Sequence, residues 1–412
     1  MPHFDFLLPD ARPVHIRVNE RALTISIDEL SVYTFDLAGR LFGLFDHGIN
    51  YRRGLDGRIL ARWREKQGQR ARRWLSPEAR DALMITVQQA LKQLQAAIPA
   101  AAGPPLHPLL QRAINFDHQA DAHEFAHVYR PVSILPPDQY QALVLQATEG
   151  CSFNTCTFCT LYRDRPFKIQ SPASFARHLD EVRAFFGPGI TLRRSLFLAD
   201  ANALIIPQKR LLPLMQQLAR AFRIMPAGLD APARRAWQTA HPQGMTGLYA
   251  FVDGLSAERK SAEDFRELRA LGLRRVYIGL ESGHEPLLAW LQKPSSAAEM
   301  AQAVGHMKQA GLAVGVIVLL GAGGEPFDAG HVQDTAAILN AMPLDATDII
   351  YLSPFQPDIG APYLALAQEA GIALPTPQLI AAQRQRLLAT LRLPEPPAGP
   401  KRVPYNLADF VY

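Results

Sequence analysis

The sequence predicts an α/β protein whose main part is a parallel sheet curled into a partial barrel. From about residue 141 onward, six short apolar segments alternate with helical patterns. Apolar strands that alternate with helices are typical of a parallel sheet buried on both faces. Successive right-handed crossovers would curl such a sheet toward a six-unit β/α barrel, in which the chemistry gathers at the carboxyl ends of the strands.

Three regions are predicted along the chain. Residues 1–137 should form an N-terminal α+β domain that contains a basic hairpin, a helix and a linker. Residues 138–360 should form the barrel. Residues 361–412 should supply C-terminal helices and a proline-rich tail. At 412 residues and 48% hydrophobic content, the chain can bury cores of this size.

The N-terminal elements are predicted from alternation and turn residues. Residues 14–18 and 22–27 alternate as strands, and Leu55-Asp56-Gly57-Arg58 is a turn signal for a hairpin. Ser76 followed by Pro77 predicts the start of an amphipathic helix that reaches about residue 97. The Ala/Gly/Pro-rich residues 100–108 indicate a linker.

The barrel elements are predicted in strict alternation. Serines that can cap helices follow three of the strands, at Ser171, Ser261 and Ser296. A further helix should cover residues 211–222. The predicted strands are residues 141–147, 195–199, 247–252, 275–280, 314–320 and 348–352.

Bulk properties narrow the function only slightly. The net charge of +5 permits an anionic substrate without requiring one. The first residues lack the regions of a signal peptide, and no apolar run reaches the about 18 residues of a membrane-spanning helix. The expectation is a cytoplasmic protein with no membrane segment.

All three cysteines lie within nine residues, in a C-x4-C-x2-C pattern formed by Cys151, Cys156 and Cys159. Thiolates select zinc, copper(I) or iron–sulfur clusters. A structural zinc ion and a ferredoxin cluster both need a fourth ligand, and the chain has no fourth cysteine. The simplest interpretation is a 4Fe–4S cluster with three irons held by the protein. A zinc site and three buried, inert cysteines are the alternatives.

The segment Cys156-Thr157-Phe158-Cys159 resembles the cluster loop of the radical S-adenosylmethionine (SAM) superfamily. The usual spacing there is C-x3-C-x2-C, so this chain has one extra residue after Cys151. The resemblance implies a TIM-like six-unit barrel over residues 138–360. It also implies that SAM chelates the iron that no cysteine holds. Within the superfamily, the chain resembles the branch of oxygen-independent coproporphyrinogen oxidases and the Elongator radical SAM domain.

The resemblance also implies which residues contact SAM. Asp200, with Asn202, stands where many family members carry a glutamate that bonds the SAM amino group; capping of the next helix is the alternative. The stretch containing Glu281 and Ser282 resembles a Gly-Leu-Glu-Ser-Gly motif of that branch that reaches the ribose or carboxylate of SAM. A glutamate satisfied by backbone amides is the alternative. Phe158 is the aromatic residue of the cysteine motif, and Lys293 accompanies the Glu281 motif or is simply solvated.

Two further motifs have competing interpretations. Gly321, Gly323 and Gly324 follow the fifth strand, where the family brings backbone close to adenine, but a plain strand-to-helix turn explains them equally. His123 and His127 match H-E-x-x-H, a zinc-protease pattern. The prolines that follow are expected to leave little helix for it.

The densest basic stretch lies in the N-terminal region. Basic residues interleaved with Tyr51, Trp63 and Trp74 can track a phosphate backbone and stack bases, as in proteins that bind nucleic acid such as RNA. A solvated surface is the alternative. The basic residues are Arg52, Arg53, Arg58, Arg62, Arg64, Lys66, Arg70, Arg72 and Arg73.

The resemblance implies a radical SAM enzyme. It would use an electron from a flavodoxin or ferredoxin to cleave SAM reductively and generate a 5′-deoxyadenosyl radical for hydrogen abstraction. The substrate would be a small molecule or, in the first alternative, RNA. The second alternative is a non-catalytic iron–sulfur or tetrapyrrole-binding protein on the same barrel.

Overall fold

The computed structural model describes residues 3–65, 68–99, 103–357 and 361–412. Its N-terminal part is an eight-stranded antiparallel sheet whose strands are ordered as they occur in the chain. The helices α1 (Pro77–Ala97), α2 (Gly103–Ile114) and α3 (His118–Val128) follow it. The strands are β1 (His3–Leu7), β2 (Pro13–Val18), β3 (Ala22–Ile27), β4 (Ser31–Asp36), β5 (Leu41–Asp46), β6 (Ile49–Arg53), β7 (Ile59–Arg64) and β8 (Arg70–Trp74).

The predictions for this part are confirmed at β2, β3, the β6–β7 hairpin and α1, where the Ser76 side chain accepts a hydrogen bond from the Ala79 amide. The predicted linker over residues 100–108 is wrong from Gly103 onward, where α2 begins; residues 100–102 lie outside the described residues. Proline is tolerated in the first helical turn, and Leu106 and Leu110 are fully buried in the core beneath the sheet. Burial of these leucines therefore outweighs the composition.

The second sheet has seven parallel strands, again in chain order. All six predicted strands are confirmed as β9 (Ala142–Gln146), β12 (Ser195–Ala199), β13 (Leu248–Val252), β14 (Leu273–Glu281), β15 (Ala313–Leu320) and β16 (Ile349–Pro354). A seventh, β17 (Lys401–Pro404), pairs with β16. Its half-exposed Lys-Arg-Val-Pro sequence carries no apolar run, so periodicity did not predict it. A two-stranded ribbon, β10 (Thr148–Glu149) with β11 (Lys168–Ile169), comes between β9 and β12 along the chain.

Helices connect the parallel strands. The capping serines Ser171, Ser261 and Ser296 are confirmed, and the last two form reciprocal capping boxes. The helices are α4 (Pro172–Phe186), α5 (Gln208–Ala221), α6 (Ala231–Ala240), α7 (Gly254–Glu258), α8 (Ala262–Ala270), α9 (Glu285–Trp290), α10 (Ala297–Gln309), α11 (Gly324–Ala341), α12 (Tyr363–Glu369) and α13 (Pro377–Thr390).

The parallel sheet curls, as the predicted partial barrel requires. Asp138, just before the edge strand β9, accepts hydrogen bonds from Tyr277 of β14 at 2.7 Å and from Tyr351 of β16 at 2.6 Å. The Tyr405 hydroxyl, after β17, donates to the Leu135 carbonyl at 2.7 Å. One edge of the sheet thus folds toward the strands near the other edge. Because β9 and β17 do not pair, the barrel stays open.

Most of the core of each sheet is its own, and α3 packs on the barrel core through Phe125 and Val128. Arg40, in the turn before β5, and Arg53 of β6 both bond Asp121 of α3, and all three are buried. The Leu55 amide donates to the Tyr412 carbonyl, so the last residue also joins the two parts. The proposed domain limits at residues 137 and 360 remain a prediction, and residue 360 lies outside the described residues. Within the described ranges, no helix is long and apolar enough to cross a bilayer.

Candidate functional site

The cysteine loop begins at the carboxyl end of β9, where a parallel barrel places its chemistry. Gly150 enters the loop with φ of +74°, a conformation that L side chains rarely adopt. A Cβ there would lie 3.0 Å from the Pro166 carbonyl oxygen. The β10–β11 ribbon closes the base of the loop, since Glu149 pairs with Lys168. Backbone geometry therefore fixes where the loop starts and returns.

Local hydrogen bonds shape the loop that carries the thiols. The Cys159 amide donates to the Cys156 carbonyl at 3.4 Å, which makes a turn. The Asn154 side chain donates to the Tyr162 carbonyl at 3.0 Å, and Arg163, which is exposed, donates to the Cys156 carbonyl at 2.9 Å. Asn154 has φ of +54°. It lies in the longer Cys151–Cys156 interval, so a residue that tolerates left-handed backbone accommodates the wider spacing.

The separation of the thiols distinguishes between metals. Within the described ranges, only His3, Asp5 and His15 bring three ligand atoms within 4.8 Å of one another. At least one pair of the three thiols therefore lies more than 4.8 Å apart. A tetrahedral zinc ion with Zn–S bonds of about 2.3 Å would hold its sulfurs about 3.8 Å apart. Each thiolate of an iron–sulfur cluster binds a different iron, so wider spacing suits a cluster.

The thiols are half-buried, and burial raises the pKa of Cys156 to about 11 and the pKa of Cys159 above its ordinary value. A thiol with a raised pKa is protonated at neutral pH and is a poor nucleophile. Coordination to a metal deprotonates it outright. Without a metal, these thiols are therefore poor nucleophiles.

Asp200, at the end of β12, holds the cysteine loop from inside. Its carboxylate accepts hydrogen bonds from the Gln146 side chain at 3.0 Å and from the Gly150 amide at 3.1 Å. Arg165 lies 3.5 Å away, also buried. Burial raises the pKa of Asp200 to about 6, although these three partners favour the anion. The helix-capping alternative does not describe Asp200, because its oxygens face the loop.

Asn202 follows Asp200 and faces a second carboxylate. Its side-chain amide donates to Asp253 and, at 2.8 Å, to the Ser256 hydroxyl. Asn202 makes no capping bond to the turn that follows it. Its Oδ1 is buried and has no hydrogen-bond partner in the part of the chain that the structure describes. Ser152 of the cysteine loop also lies 3.4 Å from Asp253, which links the two.

Glu281 and Lys293 form a buried ion pair at the end of β14. Their side chains are each 10% exposed, and the Lys293 Nζ lies 2.9 Å from a Glu281 oxygen. Glu281 has φ of +58° at a bulge in the pairing with β15. Burial alone would lower the pKa of Lys293, but the charges of Glu281, Cys156 and Asp253 outweigh it and raise that pKa. Lys293 is thus a fixed cation beside the thiols, not a solvated lysine.

Ser295, two residues after Lys293, is a second site residue with an unpaired polar atom. Its hydroxyl is buried and lacks a partner among the described residues. It lies against Gly254, where a Cβ would approach the Ser295 Oγ to 2.6 Å. Gly254 follows Asp253 directly. Asn202 contacts Asp253 and Ser295 lies against the next residue, and both have an unpaired buried polar atom among the described residues.

Ser282 and Phe158 take different positions from these groups. The Ser282 hydroxyl lies 2.8 Å from Nδ1 of the buried His331 and accepts from the His284 amide at 3.0 Å. It thus holds the strand end in place. Phe158 is half-buried and packs against an apolar cluster that includes Leu287 and Tyr363.

Together these side chains could hold a zwitterionic ligand beside a metal cluster. Asp253 and the Asn202 carbonyl can accept hydrogen bonds from an ammonium group, whereas Lys293 and Ser295 can donate to a carboxylate. Buried polar atoms without partners are uncommon, and a bound ligand satisfies them. The fold and the site define a parallel β/α barrel with three spread thiols at the carboxyl ends of its strands.

The H-E-x-x-H segment lies in a complete helix, α3, so the expectation that little helix forms there is wrong. Phe125 and Val128 bury one face of that helix and stabilise it. His127 Nδ1 lies 2.8 Å from the His123 carbonyl, so its ring turns to the backbone. No third metal ligand joins the two histidines in the described ranges.

The glycine stretch after β15 has a local explanation. Gly323 precedes α11 with φ of +79°, and its amide donates to the Tyr363 hydroxyl at 2.9 Å. Gly321 packs against Ile380 and Pro375, where a Cβ would lie within 3 Å of each. Close packing in a strand-to-helix turn therefore accounts for both glycines.

Part of the basic stretch makes contacts inside the molecule, whereas Arg58, Arg64, Arg70 and Arg73 are exposed. Arg53 bonds Asp121, Arg52 stacks on Phe42, and Arg72 lies 3.2 Å from Asp409. Burial lowers the pKa of Arg52 well below its ordinary value. Lys66 lies outside the described residues. These contacts give Arg52, Arg53 and Arg72 structural roles.

No known family model matches the chain, and no curated protein matches it. Solved structures do resemble it. The radical SAM methyltransferase TsrM from Kitasatospora setae, described with cobalamin and a [4Fe-4S] cluster bound, is 16% identical with a TM-score of 0.40. The match covers 61% of this chain and 45% of TsrM, so the chain spans less than half the length of that protein.

Two more structures show similar levels of likeness. OxsB, a cobalamin-dependent SAM radical enzyme described with aqua-cobalamin and SAM bound, is 12% identical with a TM-score of 0.37; the match covers 80% of this chain and 36% of OxsB. Coproporphyrinogen III oxidase (HemN) from Escherichia coli, described as a radical SAM enzyme, is 15% identical with a TM-score of 0.41. That match covers 67% of this chain and 56% of HemN.

The sequence analysis selected neither the site residues Asp253 and Ser295 nor the buried Lys260. Asp253 comes directly after the third barrel strand, so the rule that chemistry gathers at strand ends would have selected it. Lys260 is buried and donates to the Ile206 carbonyl at 3.2 Å, which is a structural role. Nothing in the sequence near Ser295 distinguishes it from other serines.

Proposed function

We propose that the chain is a radical SAM enzyme that holds a 4Fe–4S cluster with Cys151, Cys156 and Cys159. The observation that carries the proposal is the placement of all three thiols in the loop at the carboxyl end of the first barrel strand, with at least one pair of them more than 4.8 Å apart. When bound, the reduced cluster and SAM supply a 5′-deoxyadenosyl radical that abstracts hydrogen from the substrate. The residues of the site determine how the cofactors are held.

The side chains divide into two sets. Asp200 and Gly150 fix the backbone of the loop, so Asp200 supports the thiols rather than contacting SAM directly. Asn202 and Asp253 offer oxygens for the ammonium group of SAM, and Lys293 and Ser295 offer donors for its carboxylate. Glu281 would accept from the ribose hydroxyls once Lys293 holds it in place. Phe158 and Ser282 remain candidate contacts to SAM, Phe158 from the cysteine loop and Ser282 from the end of β14.

The proposal includes a one-electron donor, such as a flavodoxin or ferredoxin, and a small-molecule substrate. The exposed side of the cysteine loop carries Arg163 and Lys168, which suit the acidic surface of a small donor protein. A cytoplasmic location is part of the proposal, because thiols that bind a cluster must stay reduced. The basic N-terminal stretch gives no specific support to the RNA alternative.

The proposal is tested by anaerobic reconstitution with iron and sulfide, reduction with dithionite in the presence of SAM, and chromatography for 5′-deoxyadenosine. The wild-type chain should give the product, and Cys156→Ala should give none because one iron loses its ligand. Thr155→Ala is the matched control: it lies in the same loop, is exposed, and leaves every thiol in place.

Each outcome has a distinct meaning. Product that persists in Cys156→Ala would contradict the assignment of the ligands. An intact 4Fe–4S spectrum without 5′-deoxyadenosine would favour the non-catalytic binding protein. Zinc in place of iron, at one ion per chain and lost in Cys156→Ala, would overturn the proposal.

A further inference from the structure

A group of side chains that can bind metal lies on the first two strands of the chain, outside the cysteine loop. Residues two apart on a strand point to the same face, so His3 and Asp5 share the exposed face of β1. The antiparallel register places His15 of β2 directly opposite Asp5. Phe4 and Phe6 point the other way and pack against the N-terminal core. The strand pairing therefore brings the three side chains together.

The distances within the group are short. His3 Nε2 lies 2.9 Å and His15 Nδ1 2.6 Å from the same carboxylate oxygen, Asp5 Oδ1. The two imidazole rings stand nearly perpendicular, at 87°, with centroids 6.4 Å apart. Of the histidine, cysteine and acidic side chains in the described residues, no other three converge within 4.8 Å. Both ring nitrogens therefore face the same carboxylate oxygen, and the three ligand atoms lie within 4.8 Å of one another.

We propose that His3, Asp5 and His15 form a zinc site that joins β1 to β2. Imidazole nitrogen and carboxylate oxygen are both good zinc ligands, with bonds of about 2.0–2.2 Å. Ligand atoms on a tetrahedral ion stand about 3.4 Å apart at those bond lengths. Zinc binding would require side-chain rotations that widen the present 2.6 and 2.9 Å contacts to that spacing. The side chains are 43%, 57% and 45% exposed, so an ion can enter and water can complete its coordination.

The site gives the sheet a cross-link where it is weakest. β1 is an edge strand that pairs only with β2, and the Leu8 to Arg12 turn joins the two. An ion that binds both strands stabilises the folded hairpin, because the unfolded chain does not hold the three ligands together. The role is structural and does not depend on the proposed radical chemistry.

One neighbour opposes the ion. Arg17 lies directly opposite His3 in the same register and on the same exposed face. A fixed positive charge at that position repels a divalent cation. Replacement of Arg17 by serine should therefore tighten zinc binding, which a site elsewhere on the surface would not show.

The experiment titrates zinc into the full-length chain with all three cysteines changed to serine, so that no thiol competes. A chromophoric chelator reports the free zinc, and thermal unfolding is measured with and without the ion. One equivalent should bind and raise the unfolding midpoint. Loss of supporting residues alone weakens metal sites about 10–100-fold, so His3→Ala and His15→Gln should each weaken binding at least about tenfold.

His47→Ala is the matched control, because His47 is an exposed histidine 3.0 Å from Asp46 that has no third ligand. It should bind zinc as the parent chain does. Failure to bind one equivalent, or an equal loss in His47→Ala, would overturn the inference. His3→Ala changes an exposed residue near the chain start, so it keeps the test valid if His15→Gln does not fold. Formation of 5′-deoxyadenosine by the chain with its cysteines intact reports on the proposed function separately.

Discussion

Asp200 shows how a single buried carboxyl can hold the cysteine loop in place. It gives an acceptor to the Gly150 amide and to Gln146, whose own side chain also bonds Arg130. The carboxyl is almost wholly buried, which disfavours its charged form. Asp200 therefore holds the loop, but its carboxylate loses the stabilisation that water would give it.

That cost predicts a specific pH dependence. Because burial raises the folded-state pKa of Asp200 from 3.8 to about 6, the stability from this group is fully present below pH 3.8. It is lost as the pH rises through 6. The difference amounts to about 3 kcal/mol on going from pH 3.5 to pH 7. Asp200→Asn cannot ionise, so the wild-type chain should lose about 3 kcal/mol relative to this variant over that range.

Urea unfolding of the cluster-free chain at several pH values measures this difference. Thr239→Ala, an exposed substitution in α6 that does not titrate, is the control, and its free-energy difference should not change with pH. A wild-type to Asp200→Asn difference that is constant from pH 3.5 to pH 7 would contradict the raised pKa.

At the scale of the element, the entry to the cysteine loop depends on one glycine. Gly150 combines a φ of +74° with the close approach of the Pro166 carbonyl. The loop leaves β10 and returns at β11, so both ends are fixed by strand pairing. An error at the entry would therefore displace all three thiols.

We expect Gly150→Ala to lower the iron content after reconstitution and to destabilise the chain by about 1–2 kcal/mol from the left-handed backbone, plus the steric contact. Gly228→Ala is the matched control, because its φ is +80° but a Cβ there would meet nothing within 4 Å. It should cost similar backbone strain and leave the iron content unchanged. Equal iron in the two variants would show that the close approach to Pro166 has no role.

The sequence predicted elements wherever one strong signal determined them. Buried apolar strands and serine caps fixed the barrel, because their periodicity and capping chemistry are local. It did not predict β17, whose Lys-Arg-Val-Pro residues pair only because β16 presents a free edge. It misassigned α2, where burial of Leu106 and Leu110 outweighs an Ala/Gly/Pro-rich composition. Tertiary contacts decide such segments.

Some residues of the candidate site can be recognised from the sequence, and others only from the fold. The cysteines are recognisable because their spacing is itself the chemical signal. The Glu281–Lys293 pair and the orphan Ser295 hydroxyl depend on how separate loops pack at the barrel mouth. No pattern along the chain specifies which of several acidic residues supports the loop and which faces a ligand. Only the fold separates Asp200 from Asp253.

At the scale of the whole molecule, the antiparallel sheet and the barrel are joined by buried charge. Asp121 of α3 lies 2.6 Å from Arg40 and 3.1 Å from Arg53. Arg40 also bonds Asp36 and donates to the Phe185 carbonyl at the end of α4. The network thus connects the turn after β4, the strand β6 and two helices. Removal of one partner from such a network leaves an uncompensated charge in the interior.

Asp121→Ala should therefore destabilise the chain by about 3–5 kcal/mol, because Arg40 and Arg53 stay buried without their shared carboxylate. Glu263→Ala is the matched control, since it removes an exposed carboxylate paired with Arg266 on α8 and should cost about 1 kcal/mol or less. Urea unfolding followed by tryptophan fluorescence measures both. If the two variants lose the same small amount, the buried network does not hold the antiparallel sheet to the barrel. A large loss confined to Asp121→Ala would establish that the buried network stabilises the fold.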